Sequence, residues 1–192
     1  MKQSRGTGGT AVTWWRDAGR NCGRMGEVGS KEMFFNSGVM TIEAFLADPT
    51  GPVVIDLRGG SDAEPGIPGS IQVYVLELEE RPESFVRRFS TDAARRGLLL
   101  YCSKGDASHY MQKKFSGKLR IQSLQGGMVS YLTTISRLLH EHPYEDSGKK
   151  GDTMVRLLSV LTDRTTEPAL FRKIVKRLLE CTPNPKFKKI LR

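Results

Sequence analysis

Two short, uninterrupted apolar runs constrain this chain more than any other feature: Pro52-Val53-Val54-Ile55-Asp56-Leu57 and Gly97-Leu98-Leu99-Leu100-Tyr101-Cys102. A strand with one wet face alternates apolar and polar residues, whereas a run without alternation must be covered on both faces, as inside a parallel sheet. Leu119-Arg120-Ile121-Gln122-Ser123-Leu124 supplies a third, less apolar candidate strand. Helical spacing is predicted from Glu83 to Phe89, Ser108 to Phe115 and Met128 to His140, with a short helix over Thr41 to Leu46, capped by Thr41 and ended before Pro49. Strands alternating with helices in this way imply right-handed crossovers, so the predicted class is α/β, a parallel sheet with helices on both faces.

The 192 residues carry a net charge of +9, but the charge is segregated. Residues 1–36 hold a net +3 and seven glycines without periodicity, the composition of a disordered extension. Val12-Thr13-Trp14-Trp15 is too short for a secretory apolar core, and Asp17, Glu27 and Glu32 argue against an organelle transit peptide. Residues 37–147 are nearly neutral at −2, an ordinary globular composition, whereas residues 148–192 carry +8. A uniformly basic nucleic-acid-binding fold does not divide in this way. No run approaches the roughly 18 apolar residues of a membrane span, so none is expected. Three widely spaced cysteines, Cys22, Cys102 and Cys181, with no CxxC pair, speak against a disulfide framework or structural zinc site, and point to the cytoplasm, a reducing compartment. Neither a metal nor a cofactor is implied; His140 and His142 lack further ligands nearby.

The division predicted is an extension at 1–36, an α/β domain at 37–142, a linker at 143–151 and a basic helical hairpin with its tail at 152–192. In the hairpin, Asp152 to Thr162 places Met154, Leu157, Leu158 and Leu161 on one face. A second helix starts near Thr166 with Pro168 in its first turn, where a missing N–H costs nothing. Its stripe of Phe171, Ile174, Val175, Leu178 and Leu179 is expected to pack on the first helix and the α/β domain, leaving Arg172, Lys173, Lys176 and Arg177 outside. That outward face implies weak, non-specific contact with polyanions, or otherwise a solvated surface.

The chemistry concentrates where a buried strand ends on Cys102, a polar loop follows, and a helix begins near Ser108. Ligands of open parallel sheets bind beyond the carboxyl ends of the strands, so Cys102 stands where a nucleophile would. Amides of a tight loop and the positive end of the following helix favour a thiolate and any anion bonded to it. Position alone is equally compatible with a buried structural cysteine. A cysteine-dependent phosphatase needs an Arg six residues after its nucleophile, and that position holds Ser108.

Four segments in order break the tie: Val53-Val54-Ile55-Asp56-Leu57-Arg58, Gly66-Ile67-Pro68-Gly69-Ser70-Ile71, Tyr101-Cys102-Ser103-Lys104-Gly105, and Leu124-Gln125-Gly126-Gly127-Met128-Val129-Ser130-Tyr131. Their succession resembles the rhodanese (thiosulfate sulfurtransferase-like) family across about residues 37–142. The resemblance implies a five-stranded parallel sheet and a sulfurtransferase that carries sulfane sulfur as a persulfide on Cys102. Its partners are then a small donor, thiosulfate or a persulfide, and a thiol or protein acceptor. Ser103, Lys104, Gly105, Asp106, Ala107 and Ser108 form the anion-binding loop, with Lys104 as its one cation; the plain alternative for Lys104 is a solvated lysine at a loop tip. By the same resemblance Asp56 and Arg58 brace that loop, and Gly126 and Gly127 let the backbone approach the pocket.

Three positions depart from the family pattern. Ala107 stands where active members often have an Arg, Gly66 replaces the His of the Gly-His-Ile-Pro-Gly stretch, and Tyr131 replaces a Trp. Loss of the loop Arg removes a bidentate anion donor, so thiosulfate is expected to be a poor donor. The competing class is a catalytically weak interaction module whose basic C-terminal helices bind a partner. His109, on the first turn after the loop, is expected to face solvent.

Overall fold

The computed structural model describes residues 38–48, 51–59, 64–142 and 150–182. The glycine-rich extension with Trp14-Trp15, most of the linker at 143–149 and the basic tail beyond 182 lie outside the described residues.

Five parallel strands form one sheet in the order β1-β5-β4-β2-β3. They are β1 (Val39–Met40), β2 (Val53–Asp56), β3 (Ile71–Gln72), β4 (Leu98–Tyr101) and β5 (Ile121–Leu124). Every pairing is parallel, and β2 meets β4 with Val53 opposite Leu98 and Asp56 opposite Tyr101. The α/β expectation therefore holds. The helices are α1 (Ile42–Ala47), α2 (Val75–Glu80), α3 (Pro82–Arg95), α4 (Asp106–Phe115), α5 (Gly127–Glu141), α6 (Lys150–Thr162) and α7 (Pro168–Cys181).

The central strand shows why its sequence does not alternate. Leu98, Leu100 and Cys102 enter an apolar cluster with Phe85 and Phe89 of α3 and Met111 and Phe115 of α4. Leu99 and Tyr101 enter the opposite cluster with Phe45 of α1, Tyr131 and Ile135 of α5, and Phe171 and Val175 of α7. All four β4 residues are fully buried. Both faces are covered, as an unbroken apolar run requires.

The C-terminal hairpin completes one of those two layers. Phe171, Val175, Leu178 and Leu179 are buried, and the Phe171 ring lies 6.4 Å from that of Phe45. Each such side chain contributes about 1.5–3 kcal/mol by leaving water. Tyr131, whose phenol is pushed up by its burial, donates a 2.7 Å hydrogen bond to the Leu161 carbonyl at the end of α6. Lys173, Lys176 and Arg177 are exposed as expected, while Arg172 is half-buried. No helix among the described residues is long and apolar enough to cross a membrane.

Some local boundaries differ from expectation. Helix α3 runs to Arg95 rather than Phe89, because its inward face continues through Ala93 alone, too small to mark an apolar stripe. Helix α4 opens two residues early, at Asp106, because Gly105 turns the chain in a left-handed conformation with φ 103°. The edge strands β1 and β3 complete the five that the resemblance implies, but neither they nor the helix α2 could be located in the sequence pattern; strands of two residues carry too few side chains to display a period.

Candidate active site

Cys102 emerges at the carboxyl end of β4, 8% exposed, and its Sγ accepts the Gly105 N–H at 3.1 Å. The chain thus folds back on the sulfur within three residues, which the positive φ of Gly105 permits. Helix α4 begins at the next residue, so its unpaired N-terminal amides and dipole lie at the same loop.

The loop is fastened from two further directions. Ser108 is fully buried and donates from Oγ to the Gly105 carbonyl at 3.0 Å. Its single proton is thereby used, so the 2.8 Å contact with Ser123 on β5 is a bond donated by Ser123. From the other side, the first amides of α5 meet the loop carbonyls: Met128 N–H to Cys102 O at 2.9 Å and Val129 N–H to Ser103 O at 3.1 Å. Gly127 makes this approach possible. Its φ is +57°, and a Cβ there would strike the Cys102 carbonyl while sitting 2.9 Å from Gly105 N. Gly126, with φ +66°, passes close to the Ser130 side chain.

Ser103, Lys104 and Asp106 are exposed on the outer side of the loop. Ala107 is half-buried against the apolar cluster that includes Cys102. Ser108 is internal and committed to Ser123, so it belongs to the loop's support rather than to a ligand-facing surface. His109 is half-buried rather than solvent-facing, with Nδ1 enclosed and without a hydrogen-bond partner among the described residues.

Asp56 lies on the opposite face of the sheet from Cys102 and is fully buried. Its Oδ1 accepts from Arg58 Nε at 2.9 Å and Arg58 N at 3.0 Å. Its Oδ2 accepts from Arg58 Nη2 at 2.7 Å, the Tyr101 hydroxyl at 2.7 Å and Arg164 Nη2 at 2.6 Å. Burial alone pushes this carboxyl up, but the bonds from Arg58, Tyr101 and Arg164 outweigh it and hold the group below the ordinary carboxylate range. Tyr101 is raised by burial and by the neighbouring Asp56 charge, so it remains a donor. Since its proton goes to Asp56, Ser70 Oγ must donate to it at 3.2 Å, alongside the Ile67 N–H at 3.2 Å. The Arg58 guanidinium also covers the Tyr101 ring at 5.3 Å.

The structure therefore gathers the candidate residues into two groups joined by the backbone of residues 101 and 102. Around the sulfur stand the 103–108 loop, Gly126 and Gly127; behind it stand Asp56 and Arg58. Sequence reasoning missed Tyr101 and Arg164 as members of the second group. Tyr101 had a signal: a buried tyrosine in an aliphatic strand needs a partner for its hydroxyl. Arg164 had only an indirect one, the missing side chain at Gly66, whose Cβ position the Arg164 side chain occupies.

No family model matches this chain, and no curated protein matches it. Among solved structures, the chain is similar to a rhodanese-related protein from Thermoplasma volcanium, with 17% identity and a TM-score of 0.41. The match covers 50% of this chain and 91% of that one.

Proposed function

We propose that this protein is a sulfurtransferase of the rhodanese-like type, with Cys102 as the sulfur carrier. The observation that carries this reading is the 3.1 Å bond from Gly105 N–H to Cys102 Sγ in a loop that ends on a helix N-terminus. Backbone donors aimed at Sγ suit an atom that bears negative charge as the attacking thiolate and again when the transferred sulfur has left it.

In the first half-reaction the Cys102 thiolate attacks the sulfane sulfur of the donor. With thiosulfate a new S–S bond forms, the donor's S–S bond breaks, and sulfite leaves with the bonding pair; Cys102 becomes a persulfide anion. In the second, an acceptor thiolate attacks the terminal sulfur and leaves as a persulfide while Cys102 thiolate returns. Both steps conserve charge and electrons, so neither an added oxidant nor a reductant is needed.

The loop has no guanidinium, and Lys104 is its one cation. A less charged persulfide is therefore the preferred donor over thiosulfate, and the reducing cytoplasm is the compartment that suits a free catalytic thiol. The alternative, an interaction module, draws on the exposed Lys173, Lys176 and Arg177 of α7, which suit a polyanionic partner.

The deciding experiment is intact-protein mass spectrometry after incubation with thiosulfate or inorganic polysulfide. The transferase reading expects one added sulfur, located on the Cys102 peptide and released by a small thiol. Absence of that sulfur with both donors, in folded protein, would overturn it in favour of the interaction module.

A further inference from the structure

The α6–α7 turn reaches into the group behind the cysteine, although 108 residues of sequence separate Arg164 from Asp56. It is seated by backbone bonds at both ends: Gly66 N–H to Thr162 O at 2.7 Å, and Gly69 N–H to Arg164 O at 2.9 Å. From this seat the Arg164 side chain crosses the space above Gly66, where an added Cβ would lie 2.9 Å from its Cδ. It ends on Asp56 Oδ2, with Arg164 only 10% and Asp56 0% exposed. Asp56 Oδ2 is also the acceptor of the Tyr101 hydroxyl, and Tyr101 is the residue immediately before Cys102. Tyr101 O in turn accepts the Leu57 N–H at 2.8 Å.

We infer that Arg164 is a positioning residue for Cys102: the hairpin lends it to the Asp56–Tyr101 pair that fixes the end of β4. This rests on the sulfur-carrying reading of Cys102. Arg58 already holds Asp56 through two guanidinium nitrogens, but from two residues further along the same strand end, and its other bond goes to the nearby Pro65 carbonyl rather than to the hairpin. Arg164 ties that end to the hairpin, from a turn anchored to α5 through Tyr131 and Leu161. A glycine at position 66 is what leaves room for it. The hairpin is then part of the apparatus that holds the cysteine, and Arg164 acts through Asp56 and Tyr101 without touching the sulfur donor.

The test uses the full chain as Arg164→Met, Arg164→Lys and Gly66→Ala, with Lys173→Gln on the exposed face of α7 as control. Two quantities are read: the initial rate of sulfur loading on Cys102 against inorganic polysulfide concentration, and peptide-resolved amide exchange over 102–108 and over α3. Arg164→Met should lower the loading rate at saturating donor by at least tenfold, with the half-saturating concentration within twofold of the parent. Exchange over 102–108 should quicken by a similar factor while α3 does not change. Arg164→Lys, which keeps a cation on Asp56, should recover a third or more of the rate. Gly66→Ala should mimic Arg164→Met by displacing the side chain. Parent-like loading and exchange in Arg164→Met would overturn the inference, and so would a loss that Arg164→Lys does not restore and that quickens exchange in α3 equally. Should Arg164→Met fail to fold, Arg164→Lys and Gly66→Ala decide by the same criteria. Should the parent itself take up no sulfur, the sulfur-carrying reading falls, and exchange over 102–108 still decides whether Arg164 holds the loop.

Discussion

Gly127→Ala tests whether the cysteine loop is held by backbone approach. The native φ of +57° lies in the left-handed region, which costs a residue with a Cβ about 1–2 kcal/mol. The new methyl would also collide with the Cys102 carbonyl and crowd Gly105 N at 2.9 Å and Ser103 C at 3.0 Å. These are backbone atoms, so relief requires the start of α5 to withdraw from the loop. Withdrawal breaks Met128 N–H to Cys102 O and Val129 N–H to Ser103 O, each worth about 0.5–1.5 kcal/mol. The combined loss is about 2–5 kcal/mol, which for a protein of this size lowers Tm by about 4–20 °C. The control is Gly151→Ala, an exposed glycine in the first turn of α6 with nothing within 4 Å of its added Cβ; it should be neutral or gain up to about 1 kcal/mol. The assay is thermal unfolding by circular dichroism, paired with the rate of Cys102 alkylation by iodoacetamide read on its own peptide. Equal Tm and equal alkylation rate in Gly127→Ala and parent would refute the claim that α5 clamps the loop through this glycine.

Four further outcomes are expected. Cys102→Ser should abolish sulfur loading while Cys22→Ser and Cys181→Ser leave it unchanged, as read by peptide mass; loading of Cys102→Ser at the parent rate would end the mechanism. Ala107→Arg should improve thiosulfate use by about tenfold or more, since a charged, two-pronged hydrogen bond is worth about 1.5–3 kcal/mol; a folded variant without improvement would mean that the missing guanidinium does not limit the pocket. Asp56 has a folded pKa below its unfolded one, so its stabilising contribution is complete above the ordinary carboxylate value and disappears as pH falls through the lower folded value. Asp56→Asn should accordingly cost about 3–5 kcal/mol near neutrality, and the gap to the parent in urea midpoint should narrow as pH falls below the ordinary carboxylate range; a constant gap would show that the carboxylate charge is not the source. Finally, replacing Lys173, Lys176 and Arg177 together by Gln should reduce salt-sensitive retention on heparin without altering sulfur loading; unchanged retention would remove the basic face of α7 as a polyanion contact.

How much of this was legible in the sequence depended on how each feature is encoded. Central strands declare themselves, because Leu98 to Tyr101 are buried on both sides and every position must be apolar. Helix α7 is legible for the complementary reason: Phe171, Val175, Leu178 and Leu179 fall on one side and lysines on the other. The loop from Cys102 to Ser108 was placed by its strand–loop–helix context, yet the burial of Ser108 was not, because its partner Ser123 lies on a different strand. Arg164 is the extreme case. In a polar turn between two helices an arginine has the composition of a surface residue, and only the three-dimensional approach of that turn to Gly66 shows otherwise. Charge segregation pointed to a basic accessory hairpin; it could not show that one of those charges is internal.

The arrangement around Cys102 has a consequence for how its chemistry is distributed. The hydrogen bonds that shape the loop come chiefly from backbone groups, Gly105 N–H to the sulfur and the α5 amides to the carbonyls of Cys102 and Ser103. Backbone donors cannot be repositioned by a rotamer change, so their aim depends on where the loop as a whole is held. That placement is set at residues 101 and 102, whose side chains enter opposite layers of the fold: Tyr101 towards α1, α5 and α7, and Cys102 towards α3 and α4. A shift of either layer relative to the sheet would therefore reach the sulfur through one peptide bond. Ser103 and Lys104 are exposed on the outer rim, whereas Gly105, Gly127 and the Asp56 cluster are bound to the geometry itself. On the proposed sulfurtransferase reading, donor preference would thus be altered at the exposed rim, and sulfur carriage only by disturbing what lies beneath it.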